Sequence, residues 1–275
     1  MPWTIERGHD HVALVTMNTN KINAQNPAFF ADLHAAFDRL ETEFADCAVV
    51  LTGTGKVFSA GLDLDYHFAM FARRNLKEID NWFAAYRATN LRLFTDPRPT
   101  VAAINGHAYA GGFITPIDCD YRIATKDVLQ FALNEVPIGI PMPAVYCEII
   151  KYAIGTKAAS EFTLFEPVYD LDAASRMGVV QTTAVPDQLL DAAVARAALV
   201  PPDCYPAYAF SKRALQATPM AAIDSAARFD LDWLSRAMSD PKSLRANARR
   251  DRELKGPGHH LGAAPLTLAS IDSLF

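Results

Sequence analysis

The run Asn105-Gly-His-Ala-Tyr-Ala-Gly-Gly-Phe-Ile-Thr-Pro-Ile-Asp-Cys-Asp120 follows an apolar, strand-like stretch, Thr100–Ile104, and opens a helix-like one. A strand that ends in a turn and feeds a glycine-started helix directs free backbone N–H groups at whatever occupies the turn. Gly111 and Gly112 carry no side chain to prevent close approach. The segment therefore predicts a strand–turn–helix unit suited to holding an oxyanion.

The 275-residue chain can bury a large core, and its net charge of −5 gives no reason to expect a nucleic-acid partner. No apolar run approaches the roughly 20 residues that span a bilayer. The start, Met-Pro-Trp-Thr-Ile-Glu-Arg, lacks the basic and apolar stretches of a signal peptide, so no membrane association and a cytoplasmic location are expected. Cys47, Cys119, Cys147 and Cys204 are widely spaced and read as buried free thiols.

His11–Met17 and Cys47–Thr52 read as strands. Between them, Asn26-Pro27 supplies an N-cap and a first-turn proline, and Phe29, Leu33, Phe37 and Leu40 recur at helical spacing. A second helix is expected over 77–94, stopped before Pro97 and Pro99, with short strands over 121–124 and 129–131. Strands alternating with helices predict an α/β fold. After Pro201-Pro202 only helical patterns remain: 205–216, 221–238 and 242–254. The chain thus divides into a core over 1–200 and a helical subdomain over 201–275, whose apolar faces need a partner for packing or oligomerisation.

Several motifs fail. Gly53-Thr-Gly-Lys56 is superficially like a phosphate loop, but Val57 follows the lysine and Val50 stands where the first glycine belongs, so it reads as a turn between strands. Ser59 lacks the leading glycine of a nucleophile elbow. His107 reads as a structural hydrogen-bonder. His259-His260 lies in a Gly/Pro-rich tail, and no metal site is expected.

Four segments remain in consistent order: Lys21-Ile-Asn-Ala24; Phe58-Ser-Ala-Gly-Leu-Asp-Leu64; Asn105–Asp120; and Asp120-Tyr-Arg-Ile123 through Leu133-Asn-Glu-Val-Pro-Ile-Gly139. Together they resemble the crotonase (enoyl-CoA hydratase/isomerase) superfamily over roughly residues 10 to 190. The resemblance implies a spiral of strand–strand–helix units, a helical C-terminal part that builds trimers or hexamers, and an acyl-CoA thioester as substrate. CoA enters as part of the substrate, and no separate cofactor is expected. The resemblance assigns the two amides that grip the thioester oxygen to Leu62 and Gly111. It places Lys21, Ile22, Ala24, Ala60, Asp63, Leu64, Phe68, Gly112, Ile114 and Asn134 around the substrate. Asp63 also reads as a turn stabiliser, Asp118 and Asp120 as stabilisers of the helix-to-strand connection, and 66–71 as core or as an acyl-chain cover favouring a medium or long chain.

Hydratases of the superfamily use two glutamates, which carry over onto Ile114 and Glu135. Adding water across a double bond needs a group that orients the water, and Ile114 cannot supply it. Shifting a double bond needs one base: Glu135 removes a proton from C2, the oxyanion hole holds the dienolate, and the proton returns at C4. The wording of Ser59–Leu64, Asp120-Tyr-Arg-Ile and Leu133-Asn-Glu looks like the Δ3,Δ2-enoyl-CoA isomerase branch. Ile114 and Phe113 are expected to keep water from Glu135 and raise its pKa. Two alternatives stay open: a hydratase or hydrolase of the same fold, and a non-catalytic acyl-CoA-binding oligomer. Arg245, Arg249 and Arg252 read as a solvated basic face or as contacts to CoA phosphates of a neighbouring subunit. Ala110, Thr163-Leu-Phe-Glu-Pro167 and Pro141-Met-Pro143 depart from the superfamily pattern.

Overall fold

A computed structural model describes residues 3–165 and 168–255. The element order is β1 (Thr4–Arg7), β2 (Val12–Met17), α1 (Pro27–Thr42), β3 (Ala48–Gly53), β4 (Val57–Ser59), α2 (Leu64–Ala72), α3 (Leu76–Phe94), β5 (Thr100–Ile104), β6 (His107–Tyr109) and α4 (Gly111–Ile117). It continues with β7 (Tyr121–Thr125), β8 (Gln130–Ala132), α5 (Ala144–Phe165), β9 (Tyr169–Asp170), α6 (Leu171–Arg176), β10 (Thr182–Ala184), α7 (Leu189–Ala197), α8 (Tyr205–Leu215), α9 (Ala217–Met238) and α10 (Pro241–Lys255). His259-His260, Glu166 and Pro167 lie outside the described residues.

The strands form two sheets, ordered β1-β2-β3-β5-β7-β10 and β4-β6-β8-β9. Successive pairs β3/β4, β5/β6 and β7/β8 place one strand in each sheet, and helices follow each pair. This is the expected spiral of strand–strand–helix units. The pairing is parallel except at β1–β2 and β8–β9. The expected direct passage from Thr100–Ile104 to the glycine turn is corrected by β6, a three-residue strand that carries the chain into the second sheet first.

Both faces of the large sheet are buried. Val49, Leu51, Ala102 and Ile104 face the main core, whereas Val50, Val101 and Ala103 face Leu189, Ala193 and Ala197 of α7. Burial on both sides explains why β3 and β5 read as continuous apolar runs rather than alternating ones. α1 forms where its pattern predicts it: the Asn26 side chain accepts from the Phe29 N–H, Pro27 begins the helix, and Phe29, Leu33, Phe37 and Leu40 are buried. Cys47 and Cys119 are buried free thiols as expected, but Cys204 is exposed because it sits in the short turn before α8.

The two acids at the end of α4 differ sharply. Asp120 accepts from the Thr100 N–H (2.9 Å), the Thr100 hydroxyl (2.9 Å), the Tyr208 hydroxyl (2.8 Å) and Lys212 Nζ (2.9 Å), tying β5 and α8 to the start of β7. Asp118 caps α4 through its backbone, yet neither carboxyl oxygen meets a hydrogen-bond partner among the described residues. Burial holds its carboxyl well above the usual carboxylate range. Its folded state therefore retains a proton that the unfolded chain releases near pH 4, so stability falls as pH rises from there through the folded pKa. Asp118→Asn removes that titration. Thermal melts are expected to place the variant above wild type at pH 8, with the gap closing toward pH 4.

Candidate active site

Gly61 and Gly111 bring two backbone segments into contact. Gly61 has φ +78°, and a Cβ there would stand 2.6 Å from Tyr109 O and 2.8 Å from Gly111 N. A Cβ on Gly112 would stand 2.1 Å from Ser59 O. Only glycine permits this approach. Ala110, immediately before α4, adopts φ 52°, a conformation that costs a non-glycine residue about 1–3 kcal/mol. Its N–H donates to Ala132 O at 2.8 Å, which fixes the turn against β8.

Neither of the two predicted amides is used in the contact between these segments. Gln25 N–H donates to Gly61 O (2.7 Å) and Gln25 O accepts from the Asp63 N–H (3.1 Å). In this parallel bridge both bonds belong to Gln25, so the Leu62 amide faces away from it. The Gly111 N–H is the first of α4 and has no acceptor within the helix.

Gln25 carries no motif of its own. Its buried side chain donates to Gly111 O (3.1 Å) and Thr115 Oγ1 (2.9 Å) and accepts from the Tyr86 hydroxyl (3.3 Å). It therefore pins the first turn of α4 to the Gly61–Asp63 segment. The Lys21–Ala24 loop is stitched on beside it: Ala60 N–H donates to Ile22 O at 2.9 Å, and Ser59 Oγ donates to Asn23 O at 2.8 Å and accepts from the Gly61 N–H. Ser59 is structural, as is His107, whose Nδ1 accepts from the Gln130 N–H. Gly53-Thr-Gly-Lys56 is the turn between β3 and β4.

Glu135 is buried, 5% exposed, and shares a pocket with Leu62, Ile114, Trp82, Tyr86, Tyr146 and Met238. The free space is a narrow cavity of about 20 Å³, room for one water molecule. Glu135 opens the three-residue turn Val136–Ile138, and its carbonyl accepts from the Ile138 and Ile140 amides. α10 clamps this turn. Gly139 (φ +82°) lies against Ser243, Asn247 Nδ2 donates to Ile138 O, and Arg249 donates to Pro137 O at 3.2 Å.

The predicted residues fall into three groups. Leu62, Ile114 and Glu135 line one pocket, with Gly111 and Gly112 at the adjoining turn. Lys21 and Ile22 are exposed, with Ala24 and Ala60 beside them; Asn134 is half-buried next to Glu135. Asp63 and Leu64 begin α2, where the Asp63 side chain accepts from the Tyr66 N–H. Phe68 is wholly buried in the main core with Met70 and Phe71 and is not among the residues that line this pocket, whereas Tyr66 of the same segment is exposed. Phe113 likewise stacks on Phe162 (4.8 Å) in the core instead of drying the pocket. Sequence reading missed Gln25, Trp82, Tyr86, Tyr146 and Met238. A larger cavity of about 470 Å³ lies around Asp120, Arg122 and Lys212, but those charges are engaged by each other and by the Val179 and Cys119 carbonyls.

Two backbone segments thus meet at Gly61 and Gly111, close to a pocket lined by Glu135, within an α/β fold. The family model described as enoyl-CoA hydratase/isomerase matches residues 7–247, so the chain belongs to that family, within the crotonase superfamily, and is an acyl-CoA enzyme of that kind. A Thermus thermophilus protein provisionally named an enoyl-CoA hydratase is 33% identical over 82% of this chain and 87% of its own length. The short-chain-enoyl-CoA hydratase of Clostridium acetobutylicum is 27% identical over 89% of this chain and 94% of its own. The crystal structure of human mitochondrial Δ3,Δ2-enoyl-CoA isomerase superposes with a TM-score of 0.83 at 22% identity, covering 94% of this chain and all of that one, which establishes the shared fold.

Gly61→Ala forces a Cβ against Tyr109 O at positive φ. It is expected to lower stability by about 2 kcal/mol or more by denaturant titration, and to cost on the order of 10²-fold or more in acyl-CoA turnover, because the Leu62 amide moves.

Proposed function

We propose that the protein moves a double bond within an enoyl-CoA, from Δ3 to Δ2. The observation that carries this reading is the pocket's composition: among the described residues that line it the carboxylate is Glu135, and the position where a hydratase of the superfamily carries a second is the hydrocarbon Ile114, 2% exposed. Glu135 takes the C2 proton of a 3-enoyl thioester, the electron pair delocalises onto the thioester oxygen, and the Leu62 and Gly111 amides stabilise that oxygen. The same proton then returns from Glu135 to C4, leaving the 2-enoyl thioester and a regenerated carboxylate. No water enters the balance.

A second reading is hydration of a 2-enoyl-CoA, favoured by the names of the two curated relatives. Incubation with 3-enoyl-CoA and with 2-enoyl-CoA separates the two. Ultraviolet detection of conjugation from the first supports isomerisation, and mass gain of one water from the second supports hydration. Binding without either reaction identifies a non-catalytic acyl-CoA carrier. We also propose assembly into trimers or hexamers. Exposed apolar residues Phe210 and Leu215 on α8 and the stacked pair Phe229–Trp233 on α9 support it.

Glu135→Gln keeps the side chain's shape and removes its basicity. It is expected to reduce double-bond migration by about 10³-fold or more while acyl-CoA affinity, read by calorimetry, stays within a few-fold. Retained turnover would exclude Glu135 as the base.

A further inference from the structure

Tyr86 brings an unassigned hydrogen-bond donor to this pocket. It sits on the buried face of α3 with Ile79, Phe83, Asn90 and Leu93. Its ring is held by a stack on Trp82 (5.5 Å, 9°), an edge contact to Phe30 (5.1 Å) and a tilted contact to Tyr146 (5.2 Å). A phenylalanine would make all three contacts. The hydroxyl therefore adds nothing to the packing and must be desolvated to reach its place, an unfavourable exchange unless it is well bonded. As a donor it reaches Gln25 Oε1 at 3.3 Å, a long bond for a hydroxyl, and the Asn90 side chain also lies within its hydrogen-bonding reach.

The location of the hydroxyl gives it a second use. A Cβ built on Gly111 would stand 2.6 Å from the Tyr86 oxygen and 2.3 Å from Gln25 Oε1. The phenol thus lies directly against the residue whose amide is one of the two oxyanion donors, in the cavity that also holds Leu62 and Glu135. Burial and then the charge of Glu135 push its pKa well above the usual range, so the proton remains on oxygen. A neutral phenol in an apolar site is an effective donor to an enolate oxygen.

We infer that the Tyr86 hydroxyl is a third donor to the acyl oxygen, joining the Leu62 and Gly111 amides as the enolate forms. This rests on the enolate chemistry proposed above. Gln25 parks the hydroxyl in the resting enzyme through a long bond that is given up when a better acceptor arrives. The donation strengthens as negative charge develops on oxygen, so its effect belongs to the reaction step more than to substrate binding. No proton is transferred from Tyr86.

The test uses the full-length protein and Tyr86→Phe, which keeps the ring. Exchange of the C2 protons of butyryl-CoA into D2O, followed by NMR, reports enolate formation without any double bond to move or hydrate. The variant is expected to slow exchange at saturation 10- to 100-fold, with melting temperature and butyryl-CoA affinity close to wild type. Acetoacetyl-CoA gives a second readout, because its bound enolate absorbs in the near ultraviolet. Wild type should lower the pH at which that band appears, and the variant should lose at least a tenfold share of that stabilisation. Unchanged exchange and an unchanged enolate band in Tyr86→Phe would overturn the role of Tyr86 while leaving the proposed function standing. Binding without exchange or enolate in wild type would overturn both.

Discussion

The contact on which the site depends is the close passage of the Ser59–Leu62 backbone against Ala110–Gly112. A Cβ at Gly61, Gly111 or Gly112 would fall within 2.1–2.6 Å of an opposing oxygen, far inside van der Waals contact. The two segments approach because those side chains are missing, and they stay together because Gln25 bonds both at once. An oxyanion hole needs donors that are already oriented when charge develops, since reorganisation during the reaction would consume the gain. Here the orientation is stored in covalent geometry and in one buried amide side chain, and neither depends on a bound ligand.

Parts of this were legible from the chain alone. The N-cap and first-turn proline of α1, the long α3, the apolar β3 and β5, and the glycine-started α4 all follow from local rules, and the structure places them within a few residues of expectation. Glu135 and Ile114 were singled out only because the resemblance carries the superfamily's two glutamate positions onto them. Of the second sheet only β8 showed in advance, over 129–131; β4 and β6 have three residues each, too short for a period to show, and the pairing spans 23 positions between β6 and β8 and 50 between Val57 and His107.

Side-chain direction was the other hidden quantity. Phe68 and Phe113 sit beside the motifs in sequence, yet a helix turns its residues through 100° at each step, and both turn into the core. Tyr86 gave the opposite impression, standing at core spacing with Phe83 and Leu93 while carrying its hydroxyl to Gly111. Gln25 gave no signal, because an amide side chain becomes a site organiser only once two distant segments meet around it.

The helical tail takes on a further meaning from the turn that carries Glu135. A three-residue turn has too few internal bonds to hold a buried carboxylate in one position against its own tendency to reach water. The missing restraint comes from more than a hundred residues downstream, where Ser243 closes on Gly139, Asn247 bonds Ile138 O and Arg249 bonds Pro137 O. Arg249 thereby acts within its own chain, and Met238 at the end of α9 completes the pocket wall. In the proposed reaction the glycine contact would fix where charge on the acyl oxygen is received, and α10 would fix where the proton is taken. On the proposed mechanism the distance between acceptor and base is therefore set by packing between the core and its tail, so changes in the tail would bear on the reaction through the position of Glu135.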